Sequence, residues 1–122
     1  MAGESKGYTT AQELFCAARR RSYTDVEIPG FGRFRLRTIN AEEAAQLEAE
    51  QISPVGKLSR RGLITRNARI IQLHCVDANG ELLFTRDDIV KIQQLPAGEV
   101  AELSQACRDH SGLDDAEDAE KN

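Results

Sequence analysis

The chain reads as an α+β protein: a mainly α-helical small domain with an N-terminal β-hairpin packed on its helices. Three observations predict this. Residues 24–38 alternate apolar and charged side chains around a Pro-Gly turn. Thr10 with Glu13, and Asn40 with Glu43, are capping boxes that each open a helix-forming run. From Arg66 to Leu113 apolar residues recur at helical spacing, punctuated by Asn79-Gly80, Thr85, Pro96 and Gly112.

The first helix is predicted over 11–21, after a flexible start at 1–10, with Leu14, Phe15 and Ala18 as its apolar stripe. Arg19, Arg20 and Arg21 would close it at the negative end of the helix dipole. In the hairpin, about 24–38, Val26 and Ile28 share a face with Phe34 and Leu36. Asp25, Glu27, Arg33, Arg35 and Arg37 share the other, and Pro29, Gly30 and Gly32 make the turn. Two strands alone are marginal, so the apolar face needs a helix layer to cover it. The second helix, 41–51, is rich in Ala, Glu, Gln and Leu and offers only a thin packing face. Residues 52–62, with Pro54, Gly56, Ser59 and Gly62 beside Lys57, Arg60 and Arg61, read as a mobile basic loop.

Residues 63–76 fit a helix through Ile64, Ala68, Ile71 and Cys75. Residues 70–84 also fit a hairpin turning at Asn79-Gly80. The helix is preferred because Arg66, Asn67, Ala68 and Arg69 are poor strand material. Thr85 then caps a helix over 86–95, with Asp87 and Asp88 at its positive end and Ile89, Ile92 and Leu95 along one side. Pro96 separates it from a last helix, 97–110, where Val100, Leu103 and Cys107 share a face and Gly112-Leu113 form a left-handed stop. The acidic stretch 114–122 lacks large apolar residues and is predicted to be disordered.

The 122 residues suit one domain, here 11–113, and its core should be aliphatic, since aromatics make up 5% and Trp is absent. Three widely spaced cysteines, Cys16, Cys75 and Cys107, suggest neither a disulfide framework nor a zinc site, and read as small buried residues. No run resembles a secretion signal or a membrane span, which predicts a cytoplasmic protein with no membrane partner. Charge is polarised along the chain. Residues 1–70 carry 12 Lys or Arg against 8 Asp or Glu, a net of +4; residues 71–122 carry 4 against 12, a net of −8. Such a field orients partners and suits head-to-tail contact between copies.

Chemistry is scarce. His74 and His110 sit on helices as packed or dipole-facing rings, and no Ser-His-Asp set or H-E-x-x-H motif exists. Gly30-Phe31-Gly32 lacks the third glycine and following helix of a dinucleotide loop, and adjacent Asp87 and Asp88 do not face one another on a helix. The expectation is a protein without catalytic, cofactor or metal residues. A nucleic-acid-binding regulator is the alternative, using the Arg33, Arg35, Arg37 stripe extended by Lys57, Arg60, Arg61, Arg66 and Arg69. Against it stand an acidic total and no interleaved stacking aromatics.

The order of these features resembles a known family. Val26, Glu27, Ile28, Pro29 and Gly30, then Phe34, Arg35, Leu36 and Arg37, and a helix opening at Asn40, Ala41, Glu42 and Glu43, resemble the first half of tail assembly chaperones of long-tailed bacteriophages and prophages. Arg69, Ile70 and Ile71 before Cys75, Val76 and Asp77, then Asn79-Gly80, resemble the second half. So do Leu83, Phe84, Thr85, Arg86, Asp87, Asp88 and Ile89, then Ser111, Gly112 and Leu113, and the ending Glu120, Lys121, Asn122. The resemblance spans roughly Ala11 to Leu113 and rests on order and spacing.

It implies a non-enzymatic protein of the host bacterial cytoplasm that coats the tape-measure protein, helps tail-tube protein polymerise around it, and is absent from the mature virion. It also implies a longer form made by frameshifting near the C-terminus. The chain is expected to form a homo-oligomer and to meet its partners through the hairpin and the last two helices. The candidate partner-binding residues are Phe31, Arg33, Arg35, Arg37, Arg60, Arg61, Ile92, Leu95, Val100 and Leu103. A tail or head-completion structural protein is the neighbouring reading.

Overall fold

The computed structural model describes residues 7–18, 21–52, 56–57 and 59–113. Its elements are α1 (Ala11–Ala18), β1 (Tyr23–Ile28), β2 (Gly32–Arg37), α2 (Ala41–Ala49), α3 (Arg60–His74), β3 (Cys75–Val76), α4 (Ile89–Ile92) and α5 (Ala97–Ser111). A 3-10 turn, Arg86–Asp88, leads into α4. The α+β class predicted from sequence is the observed one, with the hairpin enlarged to a three-stranded antiparallel sheet in the order β1-β2-β3.

The hairpin forms as the alternation dictates. Asp25 lies opposite Arg35 and Glu27 opposite Arg33, while Val26 pairs with Phe34 and Thr24 with Leu36. Phe31 N–H donates to the Ile28 carbonyl across Pro29-Gly30, and Gly30 takes a φ of 93°, the pattern of a type II turn with Pro and Gly at its centre. The inner face carries Ile28 and Leu36 into a core completed by Leu47 of α2, Ala68, Ile70, Ile71 and Leu73 of α3, Ile92 of α4, and Val100, Leu103 and Cys107 of α5. Complete burial of side chains such as Leu36 and Ile70 contributes about 1.5–3 kcal/mol each.

Several predicted boundaries are corrected. The first helix is described over Ala11–Ala18 and does not include Arg21, where the prediction ended it. Arg19 and Arg20 lie outside the described residues, and Arg21 stands beyond the helix, donating to the Thr38 carbonyl and to Glu43. The helix predicted over 63–76 starts three residues earlier and stops two earlier, at Arg60 and His74. Ser59 caps it by accepting from Gly62 N–H at 3.2 Å. Of the predicted basic loop, residues 53–55 and 58 lie outside the described residues, whereas Arg60, Arg61 and Gly62 form the first turn of α3.

At its other end the helical pattern yields to a ladder. Cys75 and Val76 extend and pair with Leu36 and Arg35, giving β2 a neighbour on its second side. The turn that follows is the hairpin-like alternative: Asp77 Oδ1 accepts from Asn79 and Glu81 N–H, Gly80 has a φ of 83°, and Leu83 N–H donates to the Cys75 carbonyl. Both sequence readings of 70–84 therefore hold in part, helix to His74 and strand pairing beyond.

The helix predicted over 86–95 is shorter, since α4 ends at Ile92 and Leu95 N–H closes a tighter turn onto the Ile92 carbonyl. Pro96 explains this, because the residue before a proline is pushed out of helical conformation. The Thr85 cap is present, with the Asp88 carboxylate accepting from its N–H and hydroxyl. At the end of α5, Gly112 has a φ of 71° and Leu113 N–H donates to the Arg108 carbonyl, the left-handed stop the sequence suggests. Residues 1–6 and 114–122, predicted flexible and disordered, lie outside the described residues.

Candidate interaction surface

The outer face of the sheet is where charge alternation places its side chains. The Asp25 carboxylate sits between two guanidinium groups, 3.0 Å from Arg35 Nε and 3.0 Å from Arg33. The hydrogen bond from Arg35, with help from Arg33, holds this carboxyl below its ordinary range, and the same pairing raises Arg35. Arg33 and Arg35 remain exposed.

Arg37 does not join them. Its side chain is only 12% exposed, its Nε donates to the Leu73 carbonyl at 2.8 Å, and it reaches Glu43 at 3.2 Å. Burial lowers its pKa. Glu43 also caps α2 through Asn40 N–H and pairs with Arg21. Burial raises the Glu43 carboxyl, but the bonds from Arg21 and Asn40 and the charge of Arg37 outweigh it, leaving the group below its ordinary value. The stripe of three arginines is thus two exposed residues and one structural clamp.

Arg60 and Arg61 are exposed at the start of α3, and Phe31 is half-buried with its ring edge-on to Phe34, centroids 6.5 Å apart. Leu95 is exposed. Ile92, Val100 and Leu103 are corrected: all three lie in the core, at 3%, 8% and 2% exposure, closed off from a partner in this fold. Helical periodicity marks the face a helix buries, so choosing contact residues from the stripe selected core.

Exposed apolar residues that the site prediction passed over lie elsewhere. They include Leu82, Leu83 and Val90 around α4, and Tyr8, Leu14 and Phe15 on and before α1. The adjacent pairs Leu14-Phe15 and Leu82-Leu83 carried the signal, since a helix or strand seldom hides two neighbouring side chains on one face. Ile64, assigned to the buried face of α3, is exposed as well. So is Cys16, whereas Cys75 and Cys107 are fully buried; the bond with Cys75 and desolvation both push the Cys107 thiol up.

His74 is a structural hub. It is fully buried, with Nδ1 2.7 Å from the Ile70 carbonyl and Nε2 2.7 Å from Ser111 Oγ, which itself accepts from Ile39 N–H. That arrangement suits a neutral ring donating from Nδ1 and accepting at Nε2. Burial lowers its pKa to about 4. A second polar cluster joins α2, α3 and the approach to α4: Glu50 binds Arg69 and Arg86, and Arg69 donates to Gln72, whose amide reaches the Phe84 carbonyl. Among the described residues no group of three His, Cys, Asp or Glu side chains could hold a metal ion, and no helix is long and apolar enough to cross a membrane.

The fold has a solved counterpart. The fold is similar to that of the bacteriophage HK97 tail assembly chaperone. The match has a TM-score of 0.57 at 15% sequence identity, and covers 81% of this chain and 97% of that one. No family model and no curated protein matches the sequence. The likeness is therefore one of fold, extending over nearly the whole of the phage protein.

Proposed function

We propose that this chain is a tail assembly chaperone of a long-tailed phage or prophage, which binds the tape-measure protein and promotes tail-tube polymerisation by contact, without catalysis. The observation that carries the reading is the fold match over 97% of the HK97 chaperone. The ordered motifs running from Val26 to Leu113 support it independently of overall shape.

The exposed apolar residues Leu82, Leu83, Val90 and Leu95, with Leu14 and Phe15 of α1, are the surfaces assigned to partners, since an amphipathic helix docks by laying apolar side chains into such places. Contacts between copies and action in the host cytoplasm belong to the same proposal. The regulator alternative loses ground, because Arg37 is committed to Leu73 and Glu43 and Asp25 occupies the other two arginines.

Deleting the gene from an inducible phage tests the reading. The expected result is heads without tails, with wild-type particles lacking the protein by mass spectrometry. Finding it as a stoichiometric part of purified virions would favour a completion protein instead.

A further inference from the structure

Among the described residues the sheet ends on β1 with one edge unpaired. The order β1-β2-β3 leaves β1 with a neighbour on one side only. Thr38 N–H donates to the Ser22 carbonyl and Ser22 N–H to the Thr38 hydroxyl, so these two opposed residues turn their backbone groups toward each other. In an antiparallel ladder such pairs alternate, so Thr24, Val26 and Ile28 bond to β2, while Tyr23, Asp25 and Glu27 aim their N–H and C=O groups away from it. The second ladder agrees, since β2 uses its other side at Arg35 to reach Val76. Among the described residues none of those outward groups has a backbone partner. The strand has six residues and no proline or lysine, and its only edge charges are Asp25 and Glu27.

We propose that this edge of β1 accepts an extended segment of another protein, one that alternates basic and apolar side chains. Charge decides the occupant. A strand laid beside β1 sets alternate side chains against Asp25 and Glu27 on the outer face and against Thr24, Val26 and Ile28 on the inner face. Lysine or arginine suits the first row and aliphatic residues the second. Asp25 is already paired with Arg33 and Arg35, whereas Glu27 makes no ion pair with the described residues and is the open carboxylate of the row. A second copy is a poor occupant, because a two-fold pairing centred on Val26 places Asp25 against Glu27 of that copy, like charge against like.

The test titrates isotope-labelled full-length protein with a capped peptide of about seven residues alternating Lys and Val, and with its Glu-Val counterpart. The Lys-Val peptide should slow hydrogen exchange at the Tyr23, Asp25 and Glu27 amides, and the Glu-Val peptide should not. Glu27→Lys should weaken the first peptide about two- to fivefold and favour the second. The proposal is overturned if neither peptide binds, if protection falls around Leu83 and Leu95 instead, or if charge reversal leaves the preference unchanged. Protection of the same amides that grows with protein concentration alone would overturn it too, by showing that a second copy fills the edge.

Discussion

Replacing Gly62 by alanine is expected to lower the unfolding free energy by about 3 kcal/mol, the upper end of the ordinary cost of overpacking. A Cβ there would lie 2.0 Å from the Glu50 carbonyl oxygen and 2.7 Å from Gln51 Cα. Both are backbone atoms, so no side-chain rotation relieves the clash. The end of α2 and the start of α3 touch at this point, and Ser59 N–H bonding to the Gln51 carbonyl fixes the approach. Gly98, in the first turn of α5, has nothing within 4 Å of the same position. Gly98→Ala should therefore stabilise, by about 0.4–1 kcal/mol, through a less free unfolded chain. Urea unfolding of both variants gives the comparison, and equal effects would remove the close approach as the cause.

Acid should unfold the protein by way of His74. The unfolded imidazole takes up its proton near pH 6.5, while the folded one holds out to about 4. Between those values the unfolded state binds more protons, so stability is complete above about 6.5, falls through the window, and loses nothing further from this group below about 4. The gap corresponds to about 3 kcal/mol. Arg37 and His110 add repulsion to an imidazolium, and Glu43 opposes it. Glu43, with its own carboxyl held low, extends the loss at lower pH, since its contribution is present above its ordinary value and disappears as it protonates. Stability curves at pH 7 and 5 should differ, and the His74 ring should stay neutral by NMR at pH 5. A ring titrating near 6.5 would contradict the buried network.

What the sequence disclosed divides along physical lines. The hairpin was legible because alternation, Pro29-Gly30 and the charge pairing of Asp25 with Arg35 all act within a few residues. The Thr10, Asn40 and Thr85 caps and the Gly112 stop are equally local. Gly62 looked like a loop glycine, because only the approach of a distant carbonyl distinguishes it. Cys75 and Val76 continued the apolar pattern of α3, and only the unpaired side of β2 draws them into the sheet. Arg37 shares the parity of Arg33 and Arg35, yet a carbonyl and a carboxylate from two helices turn it inward. The surface was least legible, since Ile92, Val100 and Leu103 are periodic by virtue of being buried and the exposed apolar residues break that period.

Co-expression with the tape-measure protein encoded in the same phage or prophage tests the functional account most directly. The tape-measure protein, insoluble alone, should become soluble and elute with this chain in one size-exclusion peak. A tape-measure protein that stays insoluble, or elutes free of the chain, would contradict it.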